Sequence, residues 1–419
     1  MSSILGSRGF RTPLHLRVLY ISTFILRTAF GALLLLLSAY VGGDPSTRLL
    51  SIAIIAVPYP LAEMLTANYF GMKSDKVGRK RIIVLGTTLA AVTVALYSLS
   101  NNVWYLAALH GIHGIGAAAT VAPAIAMIAD KANSSDRGRQ MGWFDYSTFL
   151  GYIVGAVVGG FLVDLVNVEV GFLLMAGMLA GSALMLHTFV RQEAPTTSAE
   201  RYGGLAELRR VFRIKEIRLM FPIWLIVATL LGLALTYLPI ILLSQNVSGT
   251  TIGLLFAGAG VLFGLLQPFW GKVSDAIGRI PVMAYGIFSM FGIIIILAFF
   301  QDSIYHSDPT GNHFNWVGVA VLALLGLGVG AFVPSALALM ADSSDKNSYG
   351  ATMGLYSFAL GFGAFVAESL GLVIILLTGR EGAPTWLLYF AAFLICLAVL
   401  MTIVFFISSM LKKRRSRAG

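Results

Sequence analysis

The segment GMKSDKVGRKR at residues 71–81 returns as GKVSDAIGRIP at residues 271–281. At an offset of 200 residues, five positions carry identical residues. They are Gly71, Ser74, Asp75, Gly78 and Arg79, which return as Gly271, Ser274, Asp275, Gly278 and Arg279. The same polar loop in each half predicts a chain built by internal duplication.

Both copies lie between long apolar runs. The chain has 419 residues, of which 58% are hydrophobic and 11% charged, whereas soluble chains have about 25% charged residues. This composition excludes a soluble enzyme, a disordered chain and a coiled coil, and the unbroken apolar runs exclude a β-barrel. Runs of about 20 apolar residues span a bilayer as helices. Twelve such spans are predicted, at 17–41, 49–72, 82–100, 103–129, 139–163, 168–190, 219–243, 250–271, 280–301, 315–341, 348–377 and 384–411.

Lys and Arg are distributed unevenly over the loops. With the N-terminus in the cytoplasm, 26 of the 29 Lys and Arg residues fall in cytoplasmic segments, Arg48 and Arg380 fall in outer loops, and Arg27 lies within span one. Because positively charged loops stay in the cytoplasm, both termini are predicted to be cytoplasmic. The net charge of +10 therefore indicates orientation in the membrane rather than a nucleic-acid partner. The basic tail at 412–419 is predicted to touch anionic lipid head groups.

A long polar stretch divides the spans into six and six. We predict an all-α membrane protein of 12 transmembrane helices, arranged as two pseudo-symmetric six-helix bundles at 1–190 and 219–411. A cytoplasmic linker at 191–218 joins the bundles, and the basic tail follows them. A parallel duplication of six spans places a cavity between the halves near the middle of the bilayer. We expect a monomer in the plasma membrane.

The layout and the repeated loop together resemble the major facilitator superfamily. GMKSDKVGRKR matches that family's signature between spans two and three, Gly-x-x-x-Asp-Lys/Arg-x-Gly-Arg-Lys/Arg, at every defined position. The resemblance implies a transporter in which the aspartate and arginine of this loop form a latch for the outward-facing state. Gly71 and Gly78 permit close helix approach and a tight turn. The alternative is a plain positive-inside loop. The latch residues are Gly71, Asp75, Gly78, Arg79, Asp275 and Arg279.

Two further segments resemble motifs of this family. HGIHGIGAA at 110–118 stands where proton-coupled members carry Arg-Gly-x-Gln-Gly-x-Gly-Ala-Ala, with His110 in place of the arginine and His113 in place of the glutamine. His110 can itself titrate near neutral pH. GYIVGAVVGG at 151–160 is similar to the antiporter signature Gly-x-x-x-Gly-Pro-x-x-Gly-Gly, with Ala156 in place of the proline. Its glycines either serve antiport or simply allow close helix packing; they are Gly151, Gly155, Gly159 and Gly160.

Four ionisable residues stand out within the spans, where charge is costly and indicates function. At about 1.5 Å per helical residue, Arg27 and Glu63 lie at the same depth. We therefore predict that they pair, either as a structural salt bridge or as a proton-controlled switch. Asp145 competes for Arg27 as a second proton carrier, or it lies at the wet cytoplasmic interface. Glu368 has no cationic partner in the second half, so it is protonated, paired across the cavity, or a counter-charge for a cationic substrate.

Aromatic and polar side chains of the spans complete the predicted site. They line a cavity for an amphipathic organic solute or serve ordinary packing. These candidates are Tyr59, Asn68, His113, Tyr146, Tyr237, Gln267 and Tyr356. The sequence has no phosphate-binding loop and no zinc-protease motif, and it predicts neither a cofactor nor a metal site, since His110 and His113 alone are a weak metal pair.

These observations predict a secondary active transporter rather than an enzyme. The leading hypothesis is proton-coupled export of an amphipathic compound by alternating access, with protons and a small molecule as partners. The alternative is proton-linked import of a sugar or organic acid, in which Arg27 binds the anion. A third hypothesis is a membrane receptor or scaffold that transports nothing.

Overall fold

A computed structural model describes residues 14–41, 45–131, 137–191, 211–244, 247–300, 305–308, 311–343 and 349–418. In these residues the first half is helical throughout. Its elements are α1 Leu14–Tyr40, α2 Pro45–Ala56, α3 Pro58–Val77, α4 Arg79–Leu96 followed by a 3-10 turn Tyr97–Leu99, α5 Val103–Lys131, α6 Arg137–Leu165 and α7 Val168–Phe189.

The second half repeats the helical pattern and adds one short antiparallel hairpin. Its elements are α8 Lys215–Ser244, α9 Gly249–Ile277, α10 Arg279–Phe299, β1 Tyr305–Asp308, β2 Gly311–Phe314, α11 Trp316–Val329, α12 Phe332–Ser343 and α13 Tyr349–Ala418. The described residues contain eleven helical segments long and apolar enough to cross a membrane, and the shorter apolar segment Gly249–Val261 stands at span eight. This confirms the predicted all-α, twelve-span fold.

Four predicted spans differ in detail from single straight helices. Span two is divided into α2 and α3 at Val57, because Pro58 has no backbone N–H for the preceding turn. Span ten is divided into α11 and α12. Spans eleven and twelve follow each other within α13 and are separated at Gly379, which has a φ of 73°. We call residues 349–378 the first arm of α13 and residues 380–418 its second arm.

Helix directions place the two copies of the repeated loop at one end of the bundle. α4 runs antiparallel to α5, since Gly86 packs on Thr120 while the later residue Ala90 packs on Gly116. The chain then passes through 132–136 into α6, so α6 begins at the end where α4 begins.

Helix α6 also runs antiparallel to α9. Gly160 lies against Gly249, whereas Phe149 lies against Gly264. The end of α9 therefore lies beside the start of α6. Both repeated loops share this end, which we call the motif side. The opposite end, which carries the β1–β2 hairpin, is the hairpin side. The motif side is the one that the Lys and Arg distribution predicts to be cytoplasmic.

The two loop copies have the same internal hydrogen bonds. In each copy the arginine Nη1 donates to the serine Oγ, at 3.0 Å for Arg79 and Ser74 and at 2.9 Å for Arg279 and Ser274. The glycine before each arginine has a φ of 100° in one copy and 106° in the other, a conformation that glycine adopts without steric cost. The structure thus repeats the local fold along with the sequence.

The hydrophobic core is divided differently at the two ends. On the hairpin side one core joins both halves, with Leu36 and Phe172 from the first half and Leu233 and Ile375 from the second. On the motif side, each half has a core of its own. One is formed by α1, α4, α5, α6 and α7, and the other by α8, α10, α12 and α13. The halves are therefore packed together on the hairpin side and separate toward the motif side.

Candidate functional site

A cavity lies between the two halves, within the shared core of the hairpin side. Apolar side chains form more than half of its wall, and the polar groups are concentrated on α3, α5, α8 and α13. The lining residues are Phe30, Leu34, Leu37, Ser38, Ile52, Ile55, Ala56, Tyr59, His110, Thr236 and Glu368. A mostly apolar cavity with a few convergent polar groups suits an amphipathic organic solute.

Glu368 is the carboxylate of this cavity. Its Oε1 accepts a hydrogen bond of 3.3 Å from the Thr236 hydroxyl, while its Oε2 is buried and has no hydrogen-bond partner among the described residues. The Tyr237 hydroxyl donates to the backbone carbonyl of Glu368 at 2.9 Å. Tyr237 is 2% exposed and packs behind the cavity wall rather than in it. A buried carboxylate oxygen without a partner is available for a proton or for the cationic group of a ligand.

Arg27 lies deep in the first half, where its guanidinium hydrogen-bonds a tyrosine. Its Nη1 donates to the Tyr152 hydroxyl at 3.1 Å, and its guanidinium lies 5.5 Å from the centre of the Tyr152 ring. Tyr59 faces the same guanidinium, and Glu63 is near enough to attract it electrostatically. In this part of the structure, however, Arg27 and Glu63 form no direct ion pair.

An aromatic and histidine cluster lies between Arg27 and the cavity. The Tyr59 ring lies 5.0 Å from His110 and 5.3 Å from His113, and Phe30 lies 4.8 Å from Tyr59. His110 Nδ1 hydrogen-bonds the Tyr97 hydroxyl at 2.8 Å. Both histidines are buried, and His113 Nδ1 has no partner among the described residues. His110 and Tyr59 thus connect the cavity with the interior of the first half.

The glycines of span five form a packing surface with two faces. Gly151, Gly155 and Gly159 lie against the backbone of α1, and a Cβ on Gly159 would come within 2.8 Å of Ala32. Gly160 lies instead against Gly249 of α9. Three glycines therefore bind α6 into its own half, whereas the fourth belongs to the contact between the halves. Any role specific to antiport stays a prediction.

Asp164 fastens the two halves on the hairpin side. Its Oδ1 accepts from the Gly249 backbone N–H at 2.9 Å, and its Oδ2 accepts from that of Thr250 at 2.6 Å. These are the first residues of α9, where backbone N–H groups lack helical partners and favour an anion. We call this contact the Asp164 clasp. Sequence reasoning missed it because an acidic residue at a span end looks like ordinary solvent-exposed polarity.

On the motif side, α6 and α9 part from each other. Phe149 and Phe263 are still in contact, with ring centres 5.2 Å apart. One turn nearer the motif side, Tyr146 continues the face of α6 that meets α9 but is 55% exposed. Half-buried Gln267 and, beyond it, Gly271 continue the facing side of α9, and a Cβ on Gly271 would meet nothing within 4 Å. The gap opens toward the motif side.

The loop residues of the predicted latch are differently placed in the two copies. Arg79 is buried, whereas Arg279 is more exposed and pairs with Asp275 in its own loop and with Asp342 at 2.9 Å. Gly71, like Gly271, borders open space. The side chains of four predicted residues lie outside the described part of the structure: Asn68, Asp75, Asp145 and Tyr356.

Three other polar residues of the site were also missed from the sequence. Thr236, Tyr97 and Tyr152 hold Glu368, His110 and Arg27, respectively. Each of the three lies at the same depth in the membrane as the group that it bonds, so position along the helices could have pointed to all three. Depth does not tell which way a helix faces, and hydroxyl groups in apolar spans often bond only their own helix. In the described residues, no group of three or more His, Cys, Asp or Glu could hold a metal ion.

Comparison with known proteins agrees with this architecture. A sequence profile of the Major Facilitator Superfamily matches residues 19–245 and 225–419. The chain belongs to the major facilitator superfamily. It is thus a multi-pass plasma-membrane protein of a transporter family, which confirms the resemblance noted in the repeated loop.

Individual relatives are distant but cover most of the chain. A class B tetracycline resistance protein of Escherichia coli is 26% identical over 313 residues, 72% of this chain and 73% of that protein. A proton-coupled antiporter flippase of Staphylococcus epidermidis is 24% identical over 377 residues, 87% of this chain and 89% of that protein. The crystal structure of a POT family transporter with a bound thioalcohol-conjugated peptide gives a TM-score of 0.73 at 14% identity, covering 96% and 97% of the two chains. That similarity shows the fold.

Proposed function

We propose that this transporter exports an amphipathic organic compound in exchange for protons. The observation that carries the proposal is the Glu368 carboxylate in a mostly apolar cavity between the halves. One of its oxygens is bound by Thr236, and the other is buried without a partner in the described part of the chain. Such an oxygen takes up either a proton or the cationic group of a solute, and the two exclude each other. That exclusion is what couples the two fluxes in opposite directions.

A second carboxylate supports the coupling. Glu63 lies in the first half and is close enough to Glu368 to interact with it electrostatically. Two carboxylates in apolar surroundings do not ionise together as easily as either one alone. Glu63 faces the Arg27 guanidinium, whereas no Lys or Arg of the described residues lines the cavity beside Glu368. We therefore assign the exchange of a proton for the solute to Glu368.

The export direction is supported by two relatives, a tetracycline resistance protein and a proton-coupled antiporter flippase. The placement of Arg27 favours it further. In proton-linked import of an organic acid, Arg27 would bind the anion. In this structure Arg27 is absent from the cavity wall and is covered by Tyr152 and Tyr59.

Membrane vesicles with an imposed pH gradient test the proposal. Ethidium, a fluorescent amphipathic cation, and solutes selected by thermal shift of the purified protein serve as probes. We expect everted vesicles to accumulate a probe only when their lumen is acidic. Glu368→Gln should abolish this accumulation, and Glu169→Gln, which removes a carboxylate outside the cavity, should leave it unchanged.

Two results would contradict the proposal. Accumulation in right-side-out vesicles driven by external acid would indicate import. The absence of any pH-dependent flux, with protein that is folded by thermal shift, would favour a receptor or scaffold.

A further inference from the structure

Two consecutive residues of α8 hold the same glutamate. Thr236 bonds the side chain of Glu368 and Tyr237 bonds its backbone carbonyl. A helical carbonyl already accepts from the N–H four residues later, so the bond from Tyr237 is additional to the helix ladder. The carboxylate and the backbone of Glu368 are thereby both tied to one turn of α8.

Gly371 makes room for this tyrosine. It lies three residues after Glu368, on the same face of α13. A Cβ at Gly371 would overlap the ring and the hydroxyl of Tyr237. Tyr237 is fully enclosed, so the ring has no free space into which it can turn. A phenylalanine would fill the same space. The tyrosine hydroxyl therefore adds only the hydrogen bond to Glu368.

We propose that Tyr237 and Gly371 form a positioning socket that sets where the free Oε2 of Glu368 lies in the cavity. The inference rests on the proposed function, in which that oxygen exchanges a proton for the solute. The ionisable groups around it are Glu63 and Tyr59 on α3 and His110 on α5, all from the opposite half. Small shifts of α13 against α8 therefore change the distances from Glu368 to the other half.

The test uses Tyr237→Phe, which keeps the ring, and Gly371→Ala, which displaces it. Matched controls are Tyr389→Phe, a partly exposed tyrosine of the second arm, and Gly361→Ala, whose Cβ would meet nothing within 4 Å in the same helix. The readout is labelling of Glu368 by dicyclohexylcarbodiimide, which reacts with protonated carboxyl groups, followed by mass spectrometry across a pH series. Ethidium transport is measured in parallel.

We expect both socket variants to change the labelling rate of Glu368 about fivefold to tenfold, as loss of a buried hydrogen bond does, and to move its pH profile. Both controls should match the wild type. In transport, Tyr237→Phe should alter KM or kcat, because it shifts the Glu368 oxygen that exchanges a proton for the solute. Thermal shift verifies folding, and if Gly371→Ala does not fold, Tyr237→Phe decides.

An unchanged labelling profile in Tyr237→Phe would overturn the socket. So would a KM and a kcat of Tyr237→Phe that equal those of the wild type. Labelling does not require transport, so the two proposals fail separately. Retained transport in Glu368→Gln would refute the proposed function, while the labelling profile would still report on the socket.

Discussion

The two ends of this transporter are joined in different ways. On the hairpin side the halves share a hydrophobic core, glycines bring α6 and α9 into backbone contact, and the Asp164 clasp closes the interface. On the motif side each half keeps its own core, and Gly71 and Gly271 border open space. With the orientation predicted from Lys and Arg, this is an inward-facing arrangement.

This asymmetry indicates what the glycines of each end contribute. Gly160 and Gly253 are needed for contacts present in this state, whereas Gly71 and Gly271 have no contact that explains them. Glycine is costly in a helix interior, so contacts that explain Gly71 and Gly271 are expected when the motif side closes. Alternating access then requires small residues at both ends of the bundle. In any one conformation, only the small residues of the closed end are packed.

The largest effect is expected at the closed end. A valine at Gly253 would overlap the Ala156 carbonyl, and such overpacking costs about 1–3 kcal/mol. Gly253→Val should therefore lower transport by at least about fivefold and hold the hairpin side open. A cysteine in place of Ser38, which lines the cavity, reports this in a Cys396→Ser background, and a membrane-impermeant thiol reagent should label it faster.

Gly258→Val is the matched control. It lies on the same helix, and its Cβ would meet nothing within 4 Å. Slower labelling in Gly253→Val than in this control would show that the hairpin side is not held closed by the α6–α9 contact.

The next-largest effect is expected on the motif side, and there the labelling rate at position 38 should change in the opposite direction. Gly271→Val fits this conformation, because the space beside it is open, but it should prevent the motif side from closing. Transport should fall nearly as far as in Gly253→Val, while the cysteine at Ser38 should be labelled more slowly than in the wild type. If Gly271→Val transports normally, the motif-side glycines do not form close contacts in the other state.

Much of this fold could be predicted from residue patterns, since apolar runs define the spans and Lys and Arg define the loops. The site was harder. Residue depth places Arg27 level with Glu63, but it does not tell which way each side chain points around its helix axis. In the structure the Arg27 guanidinium hydrogen-bonds Tyr152 and forms no direct ion pair with Glu63. Asp164 acts across the two halves, so no spacing within one segment reveals its partner. Tyr237 looked like a cavity residue, yet burial places it behind Glu368.

A smaller effect is expected at the Asp164 clasp. Asp164→Asn keeps one acceptor oxygen but removes the charge from the start of α9, which is worth about 0.5–1 kcal/mol at an exposed helix end. The hairpin side should open about twofold to fivefold more often, and the cysteine at Ser38 should be labelled faster by that factor, most clearly at low ionic strength. Equal labelling in Asp164→Asn and the wild type would mean that glycine packing alone closes this end.

The smallest effect is expected from the exposed ion pair on the motif side. Arg279 Nε and Asp342 Oδ2 lie 2.9 Å apart, but the two side chains are 22% and 57% exposed, and such pairs contribute at most about 1 kcal/mol. Asp342→Asn should therefore change transport by no more than about fivefold and lower thermal stability slightly, because Arg279 keeps its bonds to Ser274 and Asp275. Arg279→Ala removes all three bonds and should have the larger effect in the same thermal-shift measurement. If Asp342→Asn instead matches Arg279→Ala, the link from this loop to α12 is what steadies the motif side, and the two ends are more alike than their cores suggest.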